Sequence, residues 1–441
     1  MSIERWLLPL VLFAAACDVG GPDEAGDPGP QGVSSEGGGE APDALDAAAS
    51  AGNFLANNAQ FPNPSGRVAS YSNQGLIDLD NDFFGEFGTN GRDCATCHAA
   101  AQAWSITPAD VQKRFFDTKG LDPIFRLVDG ANSPKADVST VTARLNAYSM
   151  LRTRAVIRVG LPVPANAEFE LAAVDDPYQF ASAAELSLFR RPLVSANLFG
   201  GPGTFVMWDG RETQVDFQAA LSTQANNATL GHAQAAAPLP ASVRTEIVGF
   251  ETNLFAAQAF DNLAGSLTSN GARGGPQELA SQPFLVGNFN LFDAWANFPG
   301  TDPSFEARRA IARGQALFNG GCSGCHNVAN VGSSSLPVFF DIGVSAGSRR
   351  TPDMPLYTLR RKLTGETIQT TDPGRALVTG LWADVNRFKV PSIRGLAARA
   401  PYFHNGSAKT LEEVIDFYEA SLGFNFTDAE EADLAAFLRA L

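Results

Sequence analysis

Residues 91–99 read GRDCATCHA and residues 320–328 read GGCSGCHNV, so Cys-X-X-Cys-His occurs twice in one chain. The chain has five cysteines and four histidines, and the two motifs use all but Cys17, His232 and His404. Two thiols three positions apart on one turn can form thioethers to the two vinyl groups of a haem. The next residue then sets an imidazole nitrogen beneath the iron. This chemistry assigns Cys94, Cys97 and His98 to one covalently bound c-type haem and Cys322, Cys325 and His326 to a second. A pair of disulfides or one zinc site is the alternative, but zinc does not call for a histidine directly behind both Cys-X-X-Cys pairs.

Cys17 is explained by the amino terminus, MSIERWLLPLVLFAAAC. A short basic start, an apolar run and small residues read as a signal peptide over 1–16, too short to span a bilayer as a mature helix. A cysteine directly after Ala14, Ala15 and Ala16 resembles a bacterial lipobox, so the mature chain is expected to begin at a lipidated Cys17; secretion with a free thiol is the alternative. Residues 17–52 are rich in Gly, Pro, Ser and Ala, with eight carboxylates and no Lys or Arg. Such a stretch buries too little apolar surface to offset its ordering entropy and reads as a disordered acidic tether. It carries eight of the net fifteen negative charges. The remainder is mildly acidic and has no basic stripe, which argues against nucleic acid as a partner. The expected location is the periplasm, with the membrane reached only through the lipid anchor.

The rest of the chain is long enough for two domains. Helix starts are marked at Thr107-Pro108, at Thr410 with Glu413 and at Thr427 with Glu430. Leu434, Phe437, Leu438 and Leu441 fall on one face at helical spacing. A helical stretch, 305–318, leads into Cys322 and a capped helix closes the chain, which resembles the small cytochrome c fold. The expectation is a mainly α chain of two cytochrome c-like haem domains, 53–300 and 301–441, with long irregular connections at 197–203 and 270–300.

GTFVMWDGRET (203–213), DPGRALVTG (372–380) and FKVPSIRGLAARAPYFHNGSAKTLEEVIDFY (388–418) resemble the bacterial dihaem cytochrome c peroxidases and their MauG-like relatives. That resemblance implies that peroxide reacts at the first haem, with His98 proximal, and that the second haem, with His326 proximal, relays electrons. It further implies that Trp208 passes electrons or holes between the haems; a large aromatic buried at a domain seam is the structural alternative. Asn197, with the carbonyls of Arg399 and Pro401, matches the family's calcium site, and oxygen ligands suit that ion.

Two positions depart from the family pattern. Tyr418 stands where the peroxidases have a methionine ligand to the second haem, and a tyrosine oxygen lowers the haem potential where a thioether raises it. Leu411, Val414, Ile415 and Tyr418 form one helical face, so Tyr418 points inward whether it is ligand or core. Met354 is the competing ligand, with Met150 and Met207 behind it. The family's catalytic glutamate is missing after Trp-Asp-Gly-Arg, and His232 stands nearest its place. A neutral imidazole there could act as general acid and base, bind the iron as a sixth ligand, or do neither. His404 is expected to support the second haem or its propionates, and Arg211, Arg375 and Arg394 to pair with propionates or with one another.

The sequence therefore reads as an enzyme, a peroxidase-type oxidoreductase with two c-type haems and hydrogen peroxide as substrate. Its reductant would be a small periplasmic cytochrome c or cupredoxin, or its oxidised partner a protein or organic substrate. A non-catalytic dihaem electron-transfer protein is the alternative.

Overall fold

Helices begin where the capping residues place them. The computed structural model describes residues 53–198 and 205–441; the expected signal peptide, Cys17 and the tether lie outside the described residues, as does most of the 197–203 connection. Thr107 Oγ1 accepts the Asp110 N–H at 3.3 Å and opens the helix Pro108–Thr118 with proline in its first turn. Thr427 and Glu430 form a complete capping box at the start of Asp428–Ala440. At Leu411–Leu422 only half of the box forms. Thr410 Oγ1 takes the Glu413 N–H at 3.2 Å, but the Glu413 carboxylate accepts the Lys409 N–H at 2.6 Å.

The long helix Pro303–Gly321 crosses Asp428–Ala440 closely. A Cβ on Gly314 would lie 1.9 Å from the Asp433 carbonyl oxygen and 2.8 Å from Phe437 Cβ, so this crossing requires glycine. Around it Ile311, Phe318, Leu411, Leu434, Phe437 and Leu438 form a core with Ala264, Leu267, Phe289, Phe292 and Trp295. Residues from before 300 thus complete the core around the second motif.

The fold is mixed rather than mainly α: 32% of the described residues are helical and 18% lie in strands. A four-stranded antiparallel sheet runs in the order Gln60–Asn63, Gly66–Ser72, Leu254–Asp261, Gly265–Ser266. A three-stranded sheet places Leu356–Arg361 between Thr367–Thr370 and Phe169–Asp175, with Tyr357 opposite Val174 and a bulge after Thr358. The strands escape notice in the sequence because several are covered on both faces. Leu186–Arg190 is buried at every position and Leu254–Gln258 likewise, so neither shows the period-2 alternation of a half-exposed strand. The described residues fall within one compact unit, and the three-stranded sheet joins segments from both sides of residue 300. No helix among the described residues is long and apolar enough to cross a membrane.

Gly314→Ala should cost roughly 1–3 kcal/mol through overpacking, against the ~1 kcal/mol that alanine gains as a helix former. Urea unfolding of the haem-loaded protein measures the balance, and an unchanged midpoint would mean that the helices part freely.

Candidate functional site

Cys94, Cys97 and His98 line a cavity shared with Trp208, His232 and Glu251. Behind the motif, Ala103 and Trp104 both take the left-handed backbone conformation, φ 51° and 61°, and this folds the chain back on itself. The Trp104 carbonyl then lies 3.0 Å from His98 Nδ1. A carbonyl only accepts, so Nδ1 carries the proton and Nε2 is the lone-pair nitrogen that an iron would need. Burial pushes His98 down to about 4, which keeps the ring neutral. Trp104 is itself fixed by an indole N–H bond to Ser70 Oγ at 2.8 Å and by the rings of Phe83, Phe84 and Phe250.

The second motif repeats the device with different residues. His326 Nδ1 meets the carbonyl of Gly332, again six positions on, and burial lowers this ring too. Gly332 has φ 70°, and a Cβ there would lie 2.3 Å from Ile393 Cγ1, so only glycine can deliver this carbonyl. None of the four motif cysteines is disulfide-bonded. Among the described residues, the carboxylate grouping able to hold a metal is Asp416, Glu419 and Glu431, which contains no cysteine.

The surroundings fit a haem at the second motif. Arg394 is wholly buried, yet its Nε and Nη2 have no partner among the described residues, while Nη1 donates to the Asn330 carbonyl at 3.2 Å. Burial lowers this guanidinium to about 9. Leaving a buried cation without an anion is costly, and a propionate would supply one. Lys389 lines the first cavity and is lowered by burial to about 8. Tyr418 packs against Phe403 and Phe417. Burial raises its phenol, and Cys322 and Cys325 add to the rise, which places it within electrostatic reach of the second motif. Met354 instead sits in an apolar cluster with Met150, Val156 and Phe189, none of them from that motif. Met207 lines the first cavity.

His232 caps the C-terminus of the helix Phe217–Gly231. Its Nδ1 lies 2.5 Å from Asp129 Oδ2. Asp129 Oδ1 accepts from Arg92 Nη1, whose Nε and Nη2 donate to the carbonyls of Pro123 and Ile124. Burial alone would raise the Asp129 carboxyl, but Arg92 and His232 outweigh it and hold it low. Neither Arg92 nor Asp129 is evident as a site residue in the sequence: the carboxylate is 103 positions from its histidine and no motif surrounds it. Glu251 was also missed. It is buried against Ser195 with Oε2 unpaired among the described residues, and burial raises it to about 8.

Trp208 donates its indole N–H to the Arg191 carbonyl at 2.8 Å, accepts the Lys389 N–H on its own carbonyl at 2.8 Å, and meets the His404 ring edge-on at 6.1 Å. Beneath it Arg190 bridges Asp209 and Asp372, all three buried. Burial would raise Asp209, but Arg190 and Arg211 hold it at about 2. His404 stacks on Phe388 at 4.0 Å and lies 3.9 Å from Asp372; burial lowers it to about 4, so it belongs to this network as a neutral ring. Arg375 donates to the carbonyls of Asp209 and Gly210, both at 2.9 Å, and so braces the Trp-Asp-Gly-Arg turn.

Two of the three residues expected for calcium make other bonds here. The Asn197 amide is spent on the Ala256 backbone, giving and taking bonds of 2.8 Å. The Arg399 carbonyl accepts Arg191 Nη2 at 2.9 Å. The Arg191 guanidinium, also bonded to the Ile106 and Arg154 carbonyls, thus sets a positive charge beside the Arg399 carbonyl.

Two outcomes follow from these environments. Dialysis of the haem-loaded protein against a calcium chelator should leave its thermal midpoint and optical spectrum unchanged. Glu251 has a folded pKa raised from 4.5 to about 8, so its contribution is full below pH 4.5 and is lost as pH rises through 8. Stability should fall over that window at up to ~1.4 kcal/mol per pH unit, and Glu251→Gln should remove the slope in denaturation measured at several pH values.

No family model matches the chain. It is 30% identical over 253 residues to the methylamine utilization protein MauG of Methylorubrum extorquens, covering 54% of this chain and 61% of that protein. It is 31% identical over 172 residues to the cytochrome-c peroxidase IdrP1 of Pseudomonas sp. strain SCT, covering 34% and 43%. The cytochrome c551 peroxidase of Nitrosomonas europaea is 35% identical over 132 residues, covering 29% of this chain and 33% of that protein. The matches thus span less than two thirds of these relatives. A solved structure described as a MauG-like protein associated with microbial copper homeostasis superposes with a TM-score of 0.39 at 18% identity, covering 82% of this chain and 84% of that one, too slight a likeness to carry an argument. The chain's curated relatives are MauG and the dihaem cytochrome c peroxidases, the same proteins that its motifs resemble.

Proposed function

We propose that this chain is a periplasmic dihaem c-type oxidoreductase, tethered through a lipidated Cys17, that reacts with hydrogen peroxide at the first motif and exchanges electrons with the second. The observation that carries this reading is the shared cavity: His98, with Nδ1 committed to a carbonyl, and His232, with Nδ1 committed to Asp129, line one space together with Trp208. A haem held by Cys94, Cys97 and His98 would supply an iron at which the peroxide O–O bond is split and oxidising equivalents are stored.

The chain's own groups then manage protons and electrons. His232 Nε2 takes the proton from the near oxygen of peroxide and returns it to the leaving oxygen. Trp208 carries the electron between motifs. Its N–H rests on the Arg191 carbonyl, which cannot take a proton, so the ring passes charge with its proton in place. His326 and Tyr418 are the residues that would hold a second iron, where the phenol would favour its oxidised state, and Arg394 would neutralise a propionate. The electrons come from a small cytochrome c or cupredoxin, or from a protein or organic substrate in the manner of MauG.

The bare Nε2 of His232 also favours a second reading, in which it ligates the first iron and the protein only transfers electrons. Electron paramagnetic resonance of the diferric protein before and after stoichiometric peroxide separates the two. The enzyme should show a high-spin first haem that reacts within the mixing time, slowed ~100-fold or more in His232→Ala, while Tyr418→Phe alters only the second haem's signal. Two low-spin haems inert to peroxide would leave the electron carrier.

A further inference from the structure

The geometry points to Asp129, clamped by Arg92, as the positioning residue that fixes His232 in the tautomer able to accept a proton; this deepens the acid–base reading above and rests on it. His232 is held at both backbone and ring. Its carbonyl accepts from Asn90 Nδ2 at 2.8 Å and Arg92 Nη1 at 3.1 Å, while its Nδ1 lies 2.5 Å from Asp129 Oδ2. A carboxylate kept ionised can only accept, so Nδ1 carries the hydrogen and Nε2 is the lone-pair nitrogen.

The carboxylate has no freedom to do otherwise. Asp129 is 3% exposed and Arg92 2% exposed. Arg92 has an N–H bonded to Asp129 Oδ1 and two others committed to the carbonyls of Pro123 and Ile124. The clamp begins two residues before Cys94, inside the segment that attaches the first haem, so attachment site and acid–base histidine form one rigid unit.

This arrangement gives Asp129→Asn a directional consequence. Arg92 offers only donors, so the new amide must turn its oxygen to Arg92 and its NH2 to His232. That NH2 donates to Nδ1 and drives the ring proton to Nε2. The base is lost although shape and volume are kept, the same logic by which an aspartate orients the histidine of a serine protease triad.

The test uses the haem-loaded protein labelled with 15N-histidine in its ferrous carbonyl form, where four histidine rings are to be assigned, together with stopped-flow mixing of the ferric form with hydrogen peroxide. In wild type the His232 ring should carry its hydrogen on Nδ1. In Asp129→Asn it should move to Nε2, and the peroxide reaction should slow ~100-fold or more with haem content and optical spectrum retained. Asp129→Glu, which restores an acceptor, should recover the Nδ1–H tautomer and part of the rate. A His232 ring still protonated at Nδ1 in Asp129→Asn, or a rate within a few-fold of wild type with the tautomer moved, would overturn the assignment. If wild type itself is inert to peroxide, the acid–base reading fails, and the ring tautomer still decides what Asp129 does.

Discussion

An imidazole that is to present Nε2 to a metal or a substrate must give its Nδ1 hydrogen to a group that holds it there. Three of the four histidines in this chain satisfy that constraint, each with a different partner. His98 uses the carbonyl of Trp104, delivered by two left-handed residues; His326 uses Gly332, whose φ and crowding against Ile393 exclude a side chain; His232 uses Asp129. The choice of acceptor matters. A backbone carbonyl fixes ring orientation and tautomer, as suits a ligand, whereas an ionised carboxylate fixes them and also sets a negative charge beside the ring. His404 lies outside this pattern, stacked on Phe388 in a neutral, buried setting.

Around these histidines the buried and half-buried charges fall into two kinds. Arg190, Arg211, Asp209 and Asp372 sum to zero and brace the turn that carries Trp208, so they form a closed structural network. Among the described residues Arg394 and Lys389 have no carboxylate partner; Arg394 donates to the Asn330 carbonyl just past the second motif, and Lys389 lines the cavity of the first. Cations buried without anions destabilise a protein unless something arrives to pair with them, and the two propionates of a haem are suited to that task. Arg191 is different again, its charge spread over several carbonyls in the place where an oxygen-ligated ion was expected.

Much of this was legible in the sequence, because the haem motifs are local. Five consecutive residues define a thioether pair and a ligand whatever the surrounding fold, and the capping residues Thr107 and Thr427 mark helix starts for the same reason. The sheets were not legible. Strands such as Leu186–Arg190 and Leu254–Asp261 are covered on both faces or nearly so, and Phe169–Asp175 finds its partner only after 180 intervening residues have folded. The segment 270–300 looks like a connection by composition but supplies Phe289, Phe292 and Trp295 to the core of the second motif.

The sequence by itself determined the cofactor chemistry, since covalent attachment depends on residue identity and spacing along a few residues. It pointed also to His232, where the resemblance would place a glutamate, and to Tyr418, where the peroxidases would have a methionine. Only the tertiary structure decided what those residues meet. Asp129 is 103 positions from His232, Arg191 reaches carbonyls from both ends of the chain, and Met354 was withdrawn into an apolar cluster with Met150. These are encounters between segments distant in the chain, and hydrogen-bond acceptors, buried charge and crowding at a glycine acquire a meaning only once packing has brought their partners within reach.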